Sequence, residues 1–83
     1  MAAAELRFFG PLSEAVGTER ETVEVPLPIT PAALRARLTA TYPPLEGRRF
    51  SIAVDARLLG NGDTIETVES AREIALLPPF GGG

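Results

Sequence analysis

Eighty-three residues suffice for one domain that buries roughly 60% of its unfolded surface, a core too small to enclose a deep catalytic pocket. The chain contains no Cys and no His, which removes thiolate and imidazole as nucleophile, general base or metal ligand, so no metal site is expected. Eleven acidic residues stand against eight basic ones for a net charge of −3, a balance that argues against nucleic acid as a partner.

All eight basic residues are arginine, so no internal ε-amine is present to accept an acyl group. No apolar run approaches the ~20 residues of a membrane span, and the N-terminus lacks the basic and apolar regions of a signal peptide; a cytoplasmic location with no membrane contact is the expectation.

In chain order, Glu5-Leu6-Arg7-Phe8-Phe9 alternates as a strand, with Leu6 and Phe8 on one face and Arg7 and Phe9 on the other. Gly10-Pro11 interrupts it, and Leu12 to Val16 reads as a single helical turn closed by Gly17 at a C-cap position. Glu21 to Val25 alternates strictly, Val23 and Val25 inward, and is expected to pair antiparallel with the first strand. Thr30-Pro31 is the clearest helix start, a capping hydroxyl followed by a proline at a position whose N–H has no helical partner. That helix is expected to run to about Thr41, with Leu34 and Leu38 forming the apolar stripe, and to end at Tyr42-Pro43-Pro44.

A polar connection through Gly47-Arg48-Arg49 leads to a strand over Phe50–Val54, and Arg57-Leu58-Leu59 extends or re-forms it after a turn at Asp55-Ala56. Gly60-Asn61-Gly62-Asp63 signals a turn, and residues 64–69 read as a weak edge strand. The final strand places Ile74 and Leu76 on one face and Ala75 and Leu77 on the other. Pro78 and Pro79 cannot donate to a ladder, so they should end this strand and direct Phe80-Gly81-Gly82-Gly83 away from the body. Such a tail offers chemistry one group, the α-carboxylate of Gly83, on a thread slim enough to enter another protein's active-site channel; the bland alternative is an unused, frayed terminus.

The order strand, strand, helix, then two or three strands fits an α+β, β-grasp (ubiquitin-like) architecture: a mixed sheet of four to five strands, one main helix and a flexible glycine tail. The expected organisation is a domain over 1–79 and a tail over 80–83. A right-handed crossover would set the last strand parallel to the first at the centre of the sheet. Phe9 and Leu77 would then be neighbours on the open face, close to Phe80 at the root of the tail, as an apolar docking patch.

Leu6-Arg7-Phe8-Phe9, Leu12 to Gly17, Tyr42-Pro43-Pro44-Leu45, Ile52-Ala53-Val54-Asp55 and Glu73 to Gly83 together resemble the small, sulfur-carrying subunit of molybdopterin synthase, within the ubiquitin-like sulfur carriers. Two positions depart from that family's pattern: Ser70-Ala71-Arg72 stands where an Asp-Gly-Asp-type turn is usual, and Asp55 where Asn is common. The resemblance implies that an E1-like enzyme adenylates the Gly83 carboxylate with ATP, and that sulfur then displaces AMP to leave a thiocarboxylate. Gly82 would keep the thread slim and extended, and Gly81, which would contact the partner, occupies a position where the family usually has another small residue. The carrier would bind no cofactor itself and would be non-catalytic alone. In a heterotetramer with two large catalytic subunits, its tail would donate sulfur to a pterin precursor of molybdenum cofactor. By position, Phe9, Leu77 and Phe80, with Leu59 as a further member, match the family's docking surface. Other readings of the same tail are sulfur delivery to tRNA thiolation or thiamine thiazole synthesis, ubiquitin-like modification of proteins, and an interaction module whose tail is unused.

Overall fold

In the computed structural model, which describes residues 1–59 and 67–79, the chain order is β1 (Ala2–Phe8), α1 (Pro11–Val16), β2 (Arg20–Val25), α2 (Pro31–Thr41), a 3-10 turn (Pro43–Leu45), β3 (Ser51–Val54), β4 (Arg57–Leu58) and β5 (Glu73–Leu77). The five strands form one mixed sheet in the order β2-β1-β5-β3-β4. β1 and β5 run parallel at its centre, with Leu6 opposite Ile74 and Phe8 opposite Leu76; the other neighbours are antiparallel. This is the β-grasp arrangement, and it follows from burial: a parallel pair needs a crossover that covers one face, and α2 supplies the cover.

The alternation read from the sequence is the alternation that packs. Ala4, Leu6 and Phe8 of β1, Val23 and Val25 of β2, Ile52 and Val54 of β3, and Ile74 and Leu76 of β5 are buried on one face with Leu34 and Leu38 of α2. Burying a Leu, Ile or Phe fully contributes roughly 1.5–3 kcal/mol, so this single layer of contacts is what holds so short a chain folded. β1 begins three residues earlier than alternation suggests. Ala2-Ala3-Ala4 has little intrinsic strand preference and is drawn in by pairing with Val25-Glu24-Val23.

α2 starts where Thr30-Pro31 predicts. The Thr30 backbone is extended (φ −81°, ψ 156°) and its hydroxyl oxygen accepts the Ala33 N–H at 3.2 Å. The helix ends at Tyr42, before Pro43. The prolines that stop it then build a 3-10 turn, not expected from the sequence, which buries Leu45. The Tyr42 ring meets Phe8 edge-on at 5.1 Å between centroids. Partial burial, reinforced by the negative charge of Glu21, pushes its phenol above the usual range. α1 closes at Gly17, whose φ of 91° is the left-handed cap read from the sequence. The Gly60–Asp63 turn and most of the weak strand at 64–69 lie outside the described residues. What is described of that strand is an isolated antiparallel bridge between Val68 and Ile29, with N–H to carbonyl distances of 2.7 and 3.0 Å.

β3 and β4 join through Asp55 and Ala56, both at positive φ (49° and 69°), the pattern of a type I′ hairpin turn. Asp55 compensates for its conformation: its Oδ1 accepts the N–H groups of Arg72 (3.0 Å) and Glu73 (2.9 Å), and its own N–H donates to the Glu73 carbonyl (2.9 Å). The Asp55 carboxylate thereby ties the β3–β4 hairpin to Ser70-Ala71-Arg72 and the start of β5, joining the two positions that depart from the family pattern. Ala56 is not among the groups so bonded. Ala56→Gly is therefore expected to raise stability by about 0.5–1 kcal/mol, a few degrees in Tm, because relief of the left-handed strain exceeds the added unfolded-state entropy. A pair of thermal melts checks this.

Candidate functional site

The root of the C-terminal tail is made by three strands. β5 delivers Leu77, β1 delivers Phe9 one residue beyond its end, and β3 delivers Ser51, which pairs with Leu77. The parallel ladder extends just far enough to place Phe9, whose N–H donates to the Leu76 carbonyl at 3.2 Å. The next rung would need an N–H from residue 78, and Pro78 has none. The Phe9 carbonyl instead accepts the Leu12 N–H at 3.2 Å, the first turn of α1. One missing donor thus ends β5, and the carbonyl it would have met helps to start α1.

Gly10 makes the close approach between these segments. Its φ of 58° and ψ of −134° are open only to glycine, and a Cβ there would stand 3.5 Å from Cγ of Pro78. The space is adequate, so the backbone conformation is what demands glycine.

Pleating brings Phe9 and Leu77 to the face of the sheet opposite α2, both half-buried and side by side, as expected. Ala75 and Ala53 continue the apolar strip, and Leu58, paired with Ala53 and 62% exposed, ends it. Leu59 is not brought to this face. Its N–H donates to the Ile52 carbonyl at 2.9 Å and its side chain packs, partly buried, against the core. Leu58 stands where Leu59 was expected because the turn is only two residues long, so Val54 faces Arg57 and Ala53 faces Leu58. The two-residue Asp55-Ala56 loop was the signal that could have revealed it. Phe80, Gly81, Gly82 and Gly83 lie outside the described residues.

Charged residues border this strip on the open face. Arg7 lies with its guanidinium carbon 4.9 Å from the centre of the Phe9 ring and with Nη1 3.7 Å from Glu73 Oε2, and Arg20 Nη1 is 3.8 Å from Glu5 Oε2. Both ion pairs are well exposed and contribute about 0–1 kcal/mol at most. Among the described residues no group of three or more Asp or Glu side chains is placed to hold a metal ion, and no helix is long and apolar enough to cross a membrane. What the face offers is a surface: an apolar strip leading to the point where the chain leaves the sheet.

Comparison with known proteins places this geometry in a lineage. The chain is 35% identical over 85 residues to the molybdopterin synthase sulfur carrier subunit of Caenorhabditis briggsae, covering 100% of both chains. In structure it is similar to small archaeal modifier protein 1 of Haloferax volcanii, at 22% identity and a TM-score of 0.75 over 96% of this chain and 100% of that one. It is also similar to a chain from the complex of subunits 1 and 2 of the molybdopterin-converting factor of Helicobacter pylori, at 28% identity and a TM-score of 0.59 over 99% and 100% of the two chains. The pattern of the ThiS family matches residues 6–83, all but the first five residues. With the fold, the open apolar face and the end-to-end similarity in agreement, this chain belongs to the ThiS family.

Proposed function

We propose that this chain is a sulfur carrier, the small subunit of a molybdopterin synthase, working through the α-carboxylate of Gly83. The observation that carries this reading is the end-to-end similarity to a molybdopterin synthase sulfur carrier subunit. The Helicobacter complex of subunits 1 and 2 supports a large-subunit partner, and the apolar face at the tail root supports the place where it docks.

A carboxylate is a poor electrophile because its charge is delocalised and oxide is not a leaving group. Adenylation by an E1-like enzyme joins the carboxylate oxygen to the α-phosphorus of ATP and releases pyrophosphate. A persulfide or sulfide sulfur then attacks the acyl carbon and AMP departs with the oxygen. Where a persulfide is the donor, the acyl disulfide formed between Gly83 and the donor sulfur is cleaved by a second thiol, which ends in a disulfide with the donor's sulfur, and Gly83 retains a thiocarboxylate; with sulfide the thiocarboxylate forms directly. The thread of Gly81, Gly82 and Gly83 has no Cβ to obstruct a narrow channel, and it carries the sulfur into the large subunit for transfer to a pterin precursor. ATP belongs to the activating enzyme. The chain itself contributes the acyl group and the docking face and catalyses nothing alone; two carriers and two large subunits make the working heterotetramer. Residues 1–79 act as the body and 80–83 as the tail.

Intact mass spectrometry after incubation with the E1-like enzyme, ATP and a sulfur donor tests the reading. The expected product is heavier by the difference between one sulfur and one oxygen, localised to Gly83. If the enzyme loads a known carrier but leaves this chain unchanged, the proposal fails. Appearance instead of amide-linked conjugates to other proteins would assign the tail to protein modification.

A further inference from the structure

We propose that Arg7 and Arg20 form a cationic clamp for carboxylates on the large subunit, at the border of the apolar docking strip; this rests on the docking reading above. The two residues stand directly opposite each other in the β1–β2 ladder. The adjacent rung is bonded, the Phe8 N–H donating to the Glu19 carbonyl at 3.0 Å, so the Arg7–Arg20 rung is the unbonded kind, in which side chains approach most closely. Like charges directly opposite are destabilising, and here two guanidinium groups share one side of the sheet in a chain whose net charge is −3. Each guanidinium has a partner of its own, at Glu73 or Glu5, but the juxtaposition of the two is itself unfavourable.

Their existing partners leave them available. The nearest carboxylate oxygens are 3.7 Å from Arg7, at Glu73, and 3.8 Å from Arg20, at Glu5. Both distances exceed a direct N–H···O hydrogen bond, and each guanidinium has five donors in a fork that matches a carboxylate. Arg7 is also held against the Phe9 ring at 4.9 Å, so less of its rotamer freedom remains to be lost on binding. The clamp therefore adjoins the Phe9 and Leu77 contact, where a rim charge is shielded from water once the apolar strip is covered. The free margin of β2 beside it is partly occupied by side chains of this chain. Thr18 Oγ1 donates to the Arg20 carbonyl (2.9 Å) and accepts its N–H (3.4 Å), and Arg37 Nε donates to the Glu24 carbonyl (3.3 Å). The chemistry that fits is an apolar side chain for Phe9 and Leu77 flanked by Asp or Glu for the arginines.

The test is titration calorimetry of the large subunit from the same organism against the full-length chain at two salt concentrations. Arg7→Gln with Arg20→Gln is expected to weaken Kd by about tenfold or more and to flatten its salt dependence. Ala32→Glu with Ala36→Glu, which lowers the net charge equally on the exposed side of α2, is expected to leave Kd within about twofold. Thermal melts establish that each variant is folded, and Arg20→Gln alone, at the sheet margin, repeats the test should the double variant unfold. If the arginine variant binds like the unaltered chain while Phe9→Ala does not, the clamp is overturned and the docking face stands. If Phe9→Ala also binds unchanged, the docking reading falls with it. Equal losses in both charge variants would replace the clamp with a general effect of net charge.

Discussion

Appending one alanine after Gly83, or deleting Gly83, is expected to abolish sulfur transfer while leaving the folded domain unchanged. The effect should be all-or-none because the proposed chemistry rests on one terminal group. An appended residue turns the Gly83 carboxylate into an amide, moves the free carboxylate one residue further and attaches a Cβ to the part of the thread that, on the proposed function, would enter the channel. A deletion shortens the reach by up to about 3.6 Å, where misplacement by about 1 Å can already cost a hundredfold in rate. Two readouts check it: intact mass after incubation with the activating enzyme, and product formation by the reconstituted complex. Binding to the large subunit should persist in part, since Phe9 and Leu77 remain. Undiminished sulfur transfer from the extended chain would remove Gly83 from the mechanism.

Leu76→Ala and Leu77→Ala, one residue apart, are expected to fail in opposite ways. Leu76 is fully buried beneath α2, opposite Phe8 on one side and Ile52 on the other. Truncating it removes transfer free energy and leaves a cavity, at a cost of about 2–5 kcal/mol. A domain of this size holds only about 4–12 kcal/mol in total, so Tm should fall by roughly 10 °C or more, or the chain should not fold. Leu77 is half-buried on the open face. Its truncation should cost about 1 kcal/mol or less in stability but weaken binding to the large subunit by about tenfold or more, as for a residue central to an interface. Urea denaturation and calorimetry on the two variants separate the effects. Equal loss of stability in both would mean that the strand does not present alternate faces to core and partner.

The particular residues show why some features were readable and others were not. Leu6 and Phe8 against Arg7 and Phe9, Ile74 and Leu76 against Ala75 and Leu77, the Thr30-Pro31 helix start and the Gly17 cap are each written within a few consecutive residues. A side-chain period of two, a hydroxyl three residues from its N–H and a left-handed glycine are local geometry, and local geometry is legible in order. Pro78 belongs with them, because the absence of an N–H is a property of the residue itself. Pairing decided the rest. Ala2–Ala4 became strand because β2 lay beside it. Leu58 rather than Leu59 reached the open face because a two-residue turn set the register. Asp55 found donors at Arg72 and Glu73, seventeen and eighteen positions away. Arg7 met Arg20 across a ladder, with nothing in either neighbourhood to announce the other.

The sequence by itself determined which residues of the main strands and of the long helix face inward, where that helix begins and where the last strand must end. These follow from covalent structure and from hydrophobic periodicity acting over one or two turns of chain. That Arg20, Ala53 and Leu58 share the open face with Phe9 and Leu77 was decided only by the tertiary structure. That choice depends on strand order and register, and these are set by the joint burial of Leu34, Leu38, Leu6 and Leu76 in one core, a condition that no short segment contains.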